Sequence, residues 1–502
     1  MQPSSYGAKL LHLQDGSTII AGGKGDSIAI WKFLPSGALD VSFGYNGIGY
    51  MGRQSNYPSI VVIGVQQQRD KKFVVLADAE NIDFVTPSNT DAAIMLARFN
   101  ANGRIDSTFN GTGRVVSKPL AGHIYLPQCM TLDTTGTEDR IFVGCFASVN
   151  GGYAGMDQWS ITKYKNNGAL DSSFNNIGHL QGVGYDINPG TQRTAMIQDM
   201  KVLSNGKLQV AGAHRGSDRA WFLFRLKPDG TYDNTYASNG RVYKPVNFDV
   251  PSNALSVGYV HADGSATLTT QLGYSSGVDS ANIYIIRFKP DGAVQSTFGN
   301  NGIQQLKLTH NTHRYAFDSA KRVLISWYAP VGTTKLHQQV HFVRLTLTGA
   351  VDTSFGNGSG HVISEPILND AFYNRSNIMD INFTSGFKGL TFVANRSTPS
   401  IQGFGIYRYK FVYPKPVQSV GNVKLLDAQV YPVPAHDKLY ITAKRPIANV
   451  QLVNMAGQTV QAQSGIRSDR YIMRTESFAP GQYLLYVQAE DGSGLQRTIM
   501  IR

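Results

Sequence analysis

The sequence predicts an all-β fold: a β-propeller of seven blades, with six or eight as alternatives, followed by a small Ig-like β-sandwich. Three observations predict it. A turn motif recurs about every sixty residues, Asp-Gly or Asn-Gly hairpins stand upstream of several copies, and the composition suits short strands. Gly (52), Tyr (25) and Phe (24) are abundant while only 16% of the 502 residues are charged, against about 25% in an average soluble domain. No long stretch places apolar residues at helical spacing.

The turn motif comes first because self-similarity decides the architecture. Asp40-Val41-Ser42-Phe43, Asp106-Ser107-Thr108-Phe109 and Asp171-Ser172-Ser173-Phe174 align directly, and Asp233-Asn234-Thr235-Tyr236, Gln295-Ser296-Thr297-Phe298 and Asp352-Thr353-Ser354-Phe355 follow. Their aromatic anchors are 66, 65, 62, 62 and 57 residues apart. Upstream of the motif lie hairpins such as Leu13–Gly22 around Asp15-Gly16 and Val202–Gly212 around Asn205-Gly206. Such pairs tolerate the positive φ of a tight hairpin turn. A third strand follows, for example Ile28–Phe33, and a short fourth begins after the motif, as at Arg114-Val115-Val116. Four antiparallel strands per repeat describe a propeller blade.

The blade count comes from the third strand, which ends on a cation in each unit: Lys32, Arg98, Lys163, Arg225, Arg287, Arg344 and Arg408. The seventh unit, Ile378–Phe411, has three strand-like stretches and lacks the turn motif, and the N-terminal segment is a candidate to complete it. Six cations stand eight residues before Asp40, Asp106, Asp171, Asp233, Gln295 or Asp352. That spacing points to an ion pair or hydrogen bond within the blade that pins the turn, rather than to a basic ring that binds an anion. Over residues 10–411 the pattern resembles the delta-sixty repeat family, in Leu13-Gln14-Asp15-Gly16, Ala21-Gly22 and the Asp-x-Ser-Phe turns. The resemblance implies a propeller-like exported protein and carries no reaction with it.

The sixty-residue period stops at a turn-rich linker, 414–423, so the expected domains are 1–413 and 424–502. Short alternating strands then read as a sandwich. Tyr431-Pro432-Val433-Pro434, Met455-Ala456-Gly457-Gln458 and Gly481-Gln482-Tyr483-Leu484 resemble, in order and position, the type A sorting domain of the type IX secretion system of Bacteroidota. In that family Asn usually stands where Val433 is here. The resemblance singles out Tyr431, Pro432, Pro434, Gly457, Gly481 and Tyr483. It implies passage through the periplasm, handling by the type IX machinery, and a secreted or cell-surface destination. The first residues have neither the basic nor the apolar stretch of a signal peptide, so export implies that a signal has been removed.

The net charge of +12 reflects 46 Lys+Arg against 34 Asp+Glu. No basic run concentrates it, so it reads as spread surface charge; nucleic acid is not indicated, and an anionic glycan suits an exported chain better. No apolar run reaches the length of a membrane span. Cys129 and Cys145 flank a hairpin turn near Gly136-Thr137, which allows either a cross-strand disulfide or two buried thiols. No nucleophile, phosphate-binding or zinc motif occurs, and no cofactor is implied. His310, His313, His337 and His341 fall within one repeat but without an accompanying carboxylate, and Asp78, Glu80, Asp83 and Asp91 lack calcium-loop spacing. No metal is expected.

Binding is expected where the blades vary. In a four-stranded meander the first and third turns share one face of the ring, and the second turns and inter-blade connections share the other. The first set is tight and repetitive; the second varies freely, and variable loops on a rigid scaffold carry recognition. Tyr153, Asp157, Tyr274, Asp279, Tyr328 and His337 on that rim suit a glycan or protein ligand. The expected function is therefore an exported, adhesin-like or glycan-recognising protein. The alternatives are a secreted hydrolase or lyase acting on polysaccharide, which needs convergent carboxylates, and a non-catalytic scaffold.

Overall fold

Residues 73–79, Phe-Val-Val-Leu-Ala-Asp-Ala, are buried along their whole length, as a strand must be when both faces of its sheet are covered. Phe73, Val75 and Ala77 turn to one side and join Ile19, Ile28, Ile30 and Phe43. Val74 and Leu76 turn to the other and join Tyr125, Ile141, Val143 and Cys145. Such sheets stand side by side, with apolar layers filling the gaps between them.

The computed structural model describes residues 8–23, 27–52, 56–81, 91–149, 158–183, 195–214, 220–246, 255–272, 280–309, 313–331, 337–356, 358–363, 367–368, 378–383, 389–397, 402–410, 426–454 and 459–502. The chain forms two units, Met1–Phe411 and Val412–Arg502. Among the described residues the first unit holds seven sheets, over 8–51, 59–117, 123–183, 195–245, 255–309, 313–368 and 378–410, here blades 1 to 7. Blades 1 to 6 each run four antiparallel strands in chain order, blade 6 with an added two-residue strand, Ile367–Leu368. Blade 7 has three. Further layers fill the gaps between blades 3 and 4 (Trp159, Phe174, Ile197, Phe224), 4 and 5 (Trp221, Tyr236, Leu268, Phe288), and 5 and 6 (Ile283, Phe298, Ile325, Trp327).

The first strands of neighbouring blades are clamped by side chains that reach a neighbour's backbone. Gln66 of blade 2 donates to Met130 O (2.7 Å) and accepts from Leu132 N (3.2 Å) of blade 3. Asp199 of blade 4 accepts from Val260 N of blade 5 at 2.7 Å. Asp380 of blade 7 accepts from Leu10 N of blade 1, also at 2.7 Å. The last contact joins the final blade to the first and closes the ring. Both aspartates follow a bulge, at Ile197/Asp199 and Ile378/Asp380, which re-aims the side chain out of the pleat. Ala8–His12 belongs to blade 1; the residues before it, the candidate for completing blade 7, lie outside the described residues.

The cysteines are not partners. Cys129 stands opposite Gly144, and a bulge between Gly144 and Cys145 shifts the register so that Cys145 stands opposite Pro127. Cys129 packs into the layer toward blade 4 and Cys145 into the layer toward blade 2. Thiols on opposite faces of one sheet cannot be bridged, and both are free and buried.

In the second unit two long strands, Lys438–Asn454 and Thr459–Arg474, pair with each other through register shifts. The first of these also pairs with Ala428–Tyr431 by its early half and with Gly481–Ala489 by its late half. Gly494–Ile501 extends the sheet, and Ala435 bonds to both Met500 O and Arg502 N at 2.8 Å. The strands fold over one core that includes Leu439, Ile441, Leu452, Met473 and Leu485.

Candidate functional site

The repeated turn is built around its aspartate. In blade 2, Asp106 Oδ1 accepts from Thr108 N (3.1 Å) and Oγ1 (2.6 Å), and Oδ2 accepts from Arg98 Nε (2.7 Å). The Arg98 guanidinium covers the buried Phe109 ring at 4.6 Å and bonds to Asn166 of blade 3. Lys32–Asp40 (3.0 Å), Lys163–Asp171 (3.6 Å) and Arg344–Asp352 (2.8 Å) repeat the pair. Burial alone would push the Asp106 carboxyl up, but donation from Thr108, Lys72 and Arg98 outweighs it and holds it at about 2. A carboxyl held below its unfolded value of 3.8 stabilises the fold above pH ~4 and loses that contribution as pH falls through the folded value. Asp106 supplies about 2 kcal/mol in this way. The unfolding midpoint is expected to drop between pH 4 and 2, and Asp106→Asn to flatten that drop.

Two of the six sites depart from the expected pair. Arg225 does not take Asp233: its Nε donates to Gln209 Oε1 (2.8 Å) and its Nη2 to Pro290 O of blade 5 (2.7 Å), while Asp233 takes Lys207 (2.8 Å). Lys207, immediately before the second strand, occupies the carboxylate instead. Arg287 faces Gln295, which offers no charge, and bonds instead to Leu347 O (3.2 Å) and Lys321 O (2.6 Å). The cations thus also staple one blade to the next.

A second staple is made by the backbone. The residue after the aromatic anchor donates to a turn carbonyl of the following blade: Gly44 to Asn102 (2.6 Å), Asn110 to Asn167 (2.9 Å), Asn175 to Asp229 (2.7 Å) and Gly299 to Thr348 (2.7 Å). The glycine next to each acceptor sits against the preceding anchor. Gly103, at φ +82, would drive a Cβ to 2.6 Å from the Phe43 ring, so only glycine fits there. At the junction of blades 4 and 5 no such bond joins Ala237 to the next turn among the described residues.

A groove of about 860 Å³ opens at that junction, lined by Arg225, Thr235, Tyr236, Ser238, Arg241 and Tyr243 on one side and Pro290–Ala293 on the other. Arg241 lies over the Tyr232 ring at 3.9 Å, and its Nε is buried without a hydrogen-bond partner among the described residues. Arg225 lies over Tyr236 at 4.1 Å. Burial pushes the Tyr236 hydroxyl up to about 12, so it stays neutral. Asp291 Oδ1 is turned to Ala293 N (2.9 Å). Two guanidiniums, one carboxylate, hydroxyls and phenols thus line the same groove among the described residues.

This groove is on the face of the tight turns, not on the variable rim. Of the rim residues, Tyr153, Asp157, Tyr274 and Asp279 lie outside the described residues. Tyr328 and His337 are on the paired second and third strands of blade 6, opposite Val340 and Val331. His310 lies outside the described residues, whereas His341 Nδ1 is 3.2 Å from His361 Nε2, and Trp327 stacks on His361. Asp78 is a buried strand residue rather than a loop acid. Its burial and the neighbouring Glu80 favour the neutral carboxyl. Asp83 lies outside the described residues, and Asp91 pairs with Lys118. Among the described residues no three His, Cys, Asp or Glu gather to hold a metal. Sequence reasoning passed over Arg241, Tyr243 and Asp291; the available signal was Tyr236-Ala237-Ser238, where other repeats have Phe followed by Gly or Asn.

In the second unit Tyr431 is half exposed and stacks on Tyr440 with ring centres 5.7 Å apart. The Tyr431-Pro432 and Val433-Pro434 bonds are cis. Gly481 opens the strand in which Tyr483 is buried, its hydroxyl donating to Ala479 O at 2.7 Å. Gly457 lies outside the described residues.

Residues 429–502 match the family model of a secretion system C-terminal sorting domain. Residues 203–236 match that of a beta-propeller domain of unknown function, DUF5122. No curated protein matches the chain. Similar solved structures include a PL25 polysaccharide lyase, an ulvan lyase, at 8% identity, covering 82% of this chain and 94% of that one with a TM-score of 0.45. Prolyl oligopeptidase B from Galerina marginata is 9% identical and covers 89% of this chain but only 57% of its own, with a TM-score of 0.40. The beta-propeller domain of the trilobed protease from Pyrococcus furiosus is 8% identical, covering 87% and 97% with a TM-score of 0.30. Among the described residues no helix is long and apolar enough to cross a membrane.

Proposed function

Starting from a β-propeller that the type IX system exports, through its C-terminal sorting domain, to the cell surface or the medium, we propose that the protein recognises an extracellular ligand and does not turn it over. One observation carries this reading. The ring is stapled between blades by repeated side-chain and backbone bonds, and the groove opens where the backbone staple is missing. A rigid scaffold with a shaped, partly polar recess is suited to non-covalent recognition. Its lining offers guanidiniums, phenols and hydroxyls, with Asp291 the one carboxylate among the described residues, whereas glycoside hydrolysis calls for two facing carboxyls.

The test is retention of the full chain on an array of extracellular polysaccharides and surface proteins, compared with Ser238→Trp, which fills the groove. Retention lost in the variant supports the reading. Retention unchanged in Ser238→Trp but abolished by alanine at Tyr153, Asp157, Tyr274, Asp279, Tyr328 and His337 would move recognition to the variable rim. Release of reducing ends or unsaturated sugars from any probe would overturn it in favour of a hydrolase or lyase.

A further inference from the structure

We infer that the groove between blades 4 and 5 takes an acidic saccharide, whose anionic group is held by Arg241 beside Arg225. The inference rests on the recognition reading above and names the ligand class for that same groove. Arg241 is the strongest indication. A buried donor without a partner is costly, more so when charged, and among the described residues its Nε is such a donor in a side chain that lines the open recess. Its guanidinium rests on the Tyr232 ring at 3.9 Å, and a guanidinium fork suits a planar, two-pronged acceptor.

The repeat shows why charge is left over here. In blades 1, 2, 3 and 6 the third-strand cation is paired with the turn aspartate. In blade 4 Lys207 takes Asp233, and among the described residues Arg225 is tied to neutral acceptors, Gln209 Oε1 and Pro290 O. Among the described residues Asp291 is the one carboxylate in the lining, beside two arginines, so the described lining is net positive within a chain of net charge +12, which favours capture of anions. Half-buried Tyr243 adds ring surface, and exposed Thr235 and Ser238 add hydroxyls. Rings and hydroxyls beside a cationic fork match a sugar that bears a carboxylate or a sulfate.

The full chain is titrated by calorimetry with four probes of equal length: a galacturonate hexamer, a sulfated galactose hexamer, a neutral galactose hexamer and hexaglutamate. At least one acidic sugar is expected to bind about tenfold or more tighter than the neutral one, with affinity falling as salt rises. Which acidic sugar prevails tells carboxylate from sulfate. Arg241→Gln is expected to lose about tenfold, and Arg241→Lys to recover only part, since it keeps the charge without the fork. Unfolding midpoints of both variants are read alongside. Equal binding of the neutral hexamer with no effect of Arg241→Gln overturns the acidic assignment while leaving recognition standing. Preferential binding of hexaglutamate overturns the saccharide class. No binding of any probe, together with retention on the array unchanged in Ser238→Trp, overturns both readings.

Discussion

Arg98→Met is expected to destabilise the propeller by about 3–5 kcal/mol, the usual cost of removing one member of a buried ion pair. Arg98 and Asp106 are each about 3% exposed, and they meet at 2.7 Å. The substitution removes more than this pair. The guanidinium also bonds to Asn166 of blade 3 and covers Phe109, so the turn and the junction with the next blade loosen together. Lys72, 3.1 Å from Asp106, retains some compensation and places the loss toward the lower end. Urea unfolding measures it. Arg98→Met with Asp106→Asn is expected to recover part of the loss, because the stranded carboxylate is gone. Arg225→Met makes the internal control. Its turn aspartate keeps Lys207 at 2.8 Å, so only its bonds to Gln209 and Pro290 and its cover of Tyr236 are lost, at about 1–2 kcal/mol. Equal losses for the two variants would show that the ion pair contributes nothing particular.

Truncation after Phe411 is expected to abolish export while leaving the propeller folded. The two units are separately compact, and the C-terminal core of Leu439, Ile441, Leu452 and Leu485 is complete within its own strands. The described inter-blade contacts all lie within 8–410. In a host with a type IX machine, fractionation should find the truncated chain in the periplasm and the full chain at the surface or in the medium. Equal surface amounts of both would remove the sorting role from the C-terminal domain. Tyr483→Phe gives a milder readout. It deletes the bond to Ala479 O, and is expected to cost the domain about 1 kcal/mol with export reduced but not lost.

Blade order, blade number and the terminal domain were legible because each is written in repeated or local chemistry. In five of the six turns an aspartate accepts from the residue two positions on, the anchor after it is aromatic, and the strand before it ends near a cation; those positions fix residue types at fixed spacing. What was not legible arises between repeats. The clamps at Gln66, Asp199 and Asp380 are single polar residues in inner strands, and the bulges that aim the two aspartates leave no mark on composition. The bulge at Gly144/Cys145 did the same to the cysteines: counting from the hairpin turn put them opposite one another, and one extra residue put them on different faces. The groove was hidden for another reason. It is marked by a bond that is not made, and Tyr236-Ala237 departs from its relatives too little to announce a recess. Sequence variation is concentrated in the long loops, whereas the described recess lies among the short turns.

Amide hydrogen exchange at Leu10, read by mass spectrometry on the full chain, tests ring closure most directly. Leu10 N donates to Asp380 across the junction of the first and last blades, as Val260 N donates to Asp199 in mid-ring. A closed ring requires both amides to exchange slowly and at comparable rates, with Asp380→Ala speeding Leu10 alone. Rapid exchange at Leu10 in the native chain, with Val260 still protected, would mean an open array of sheets.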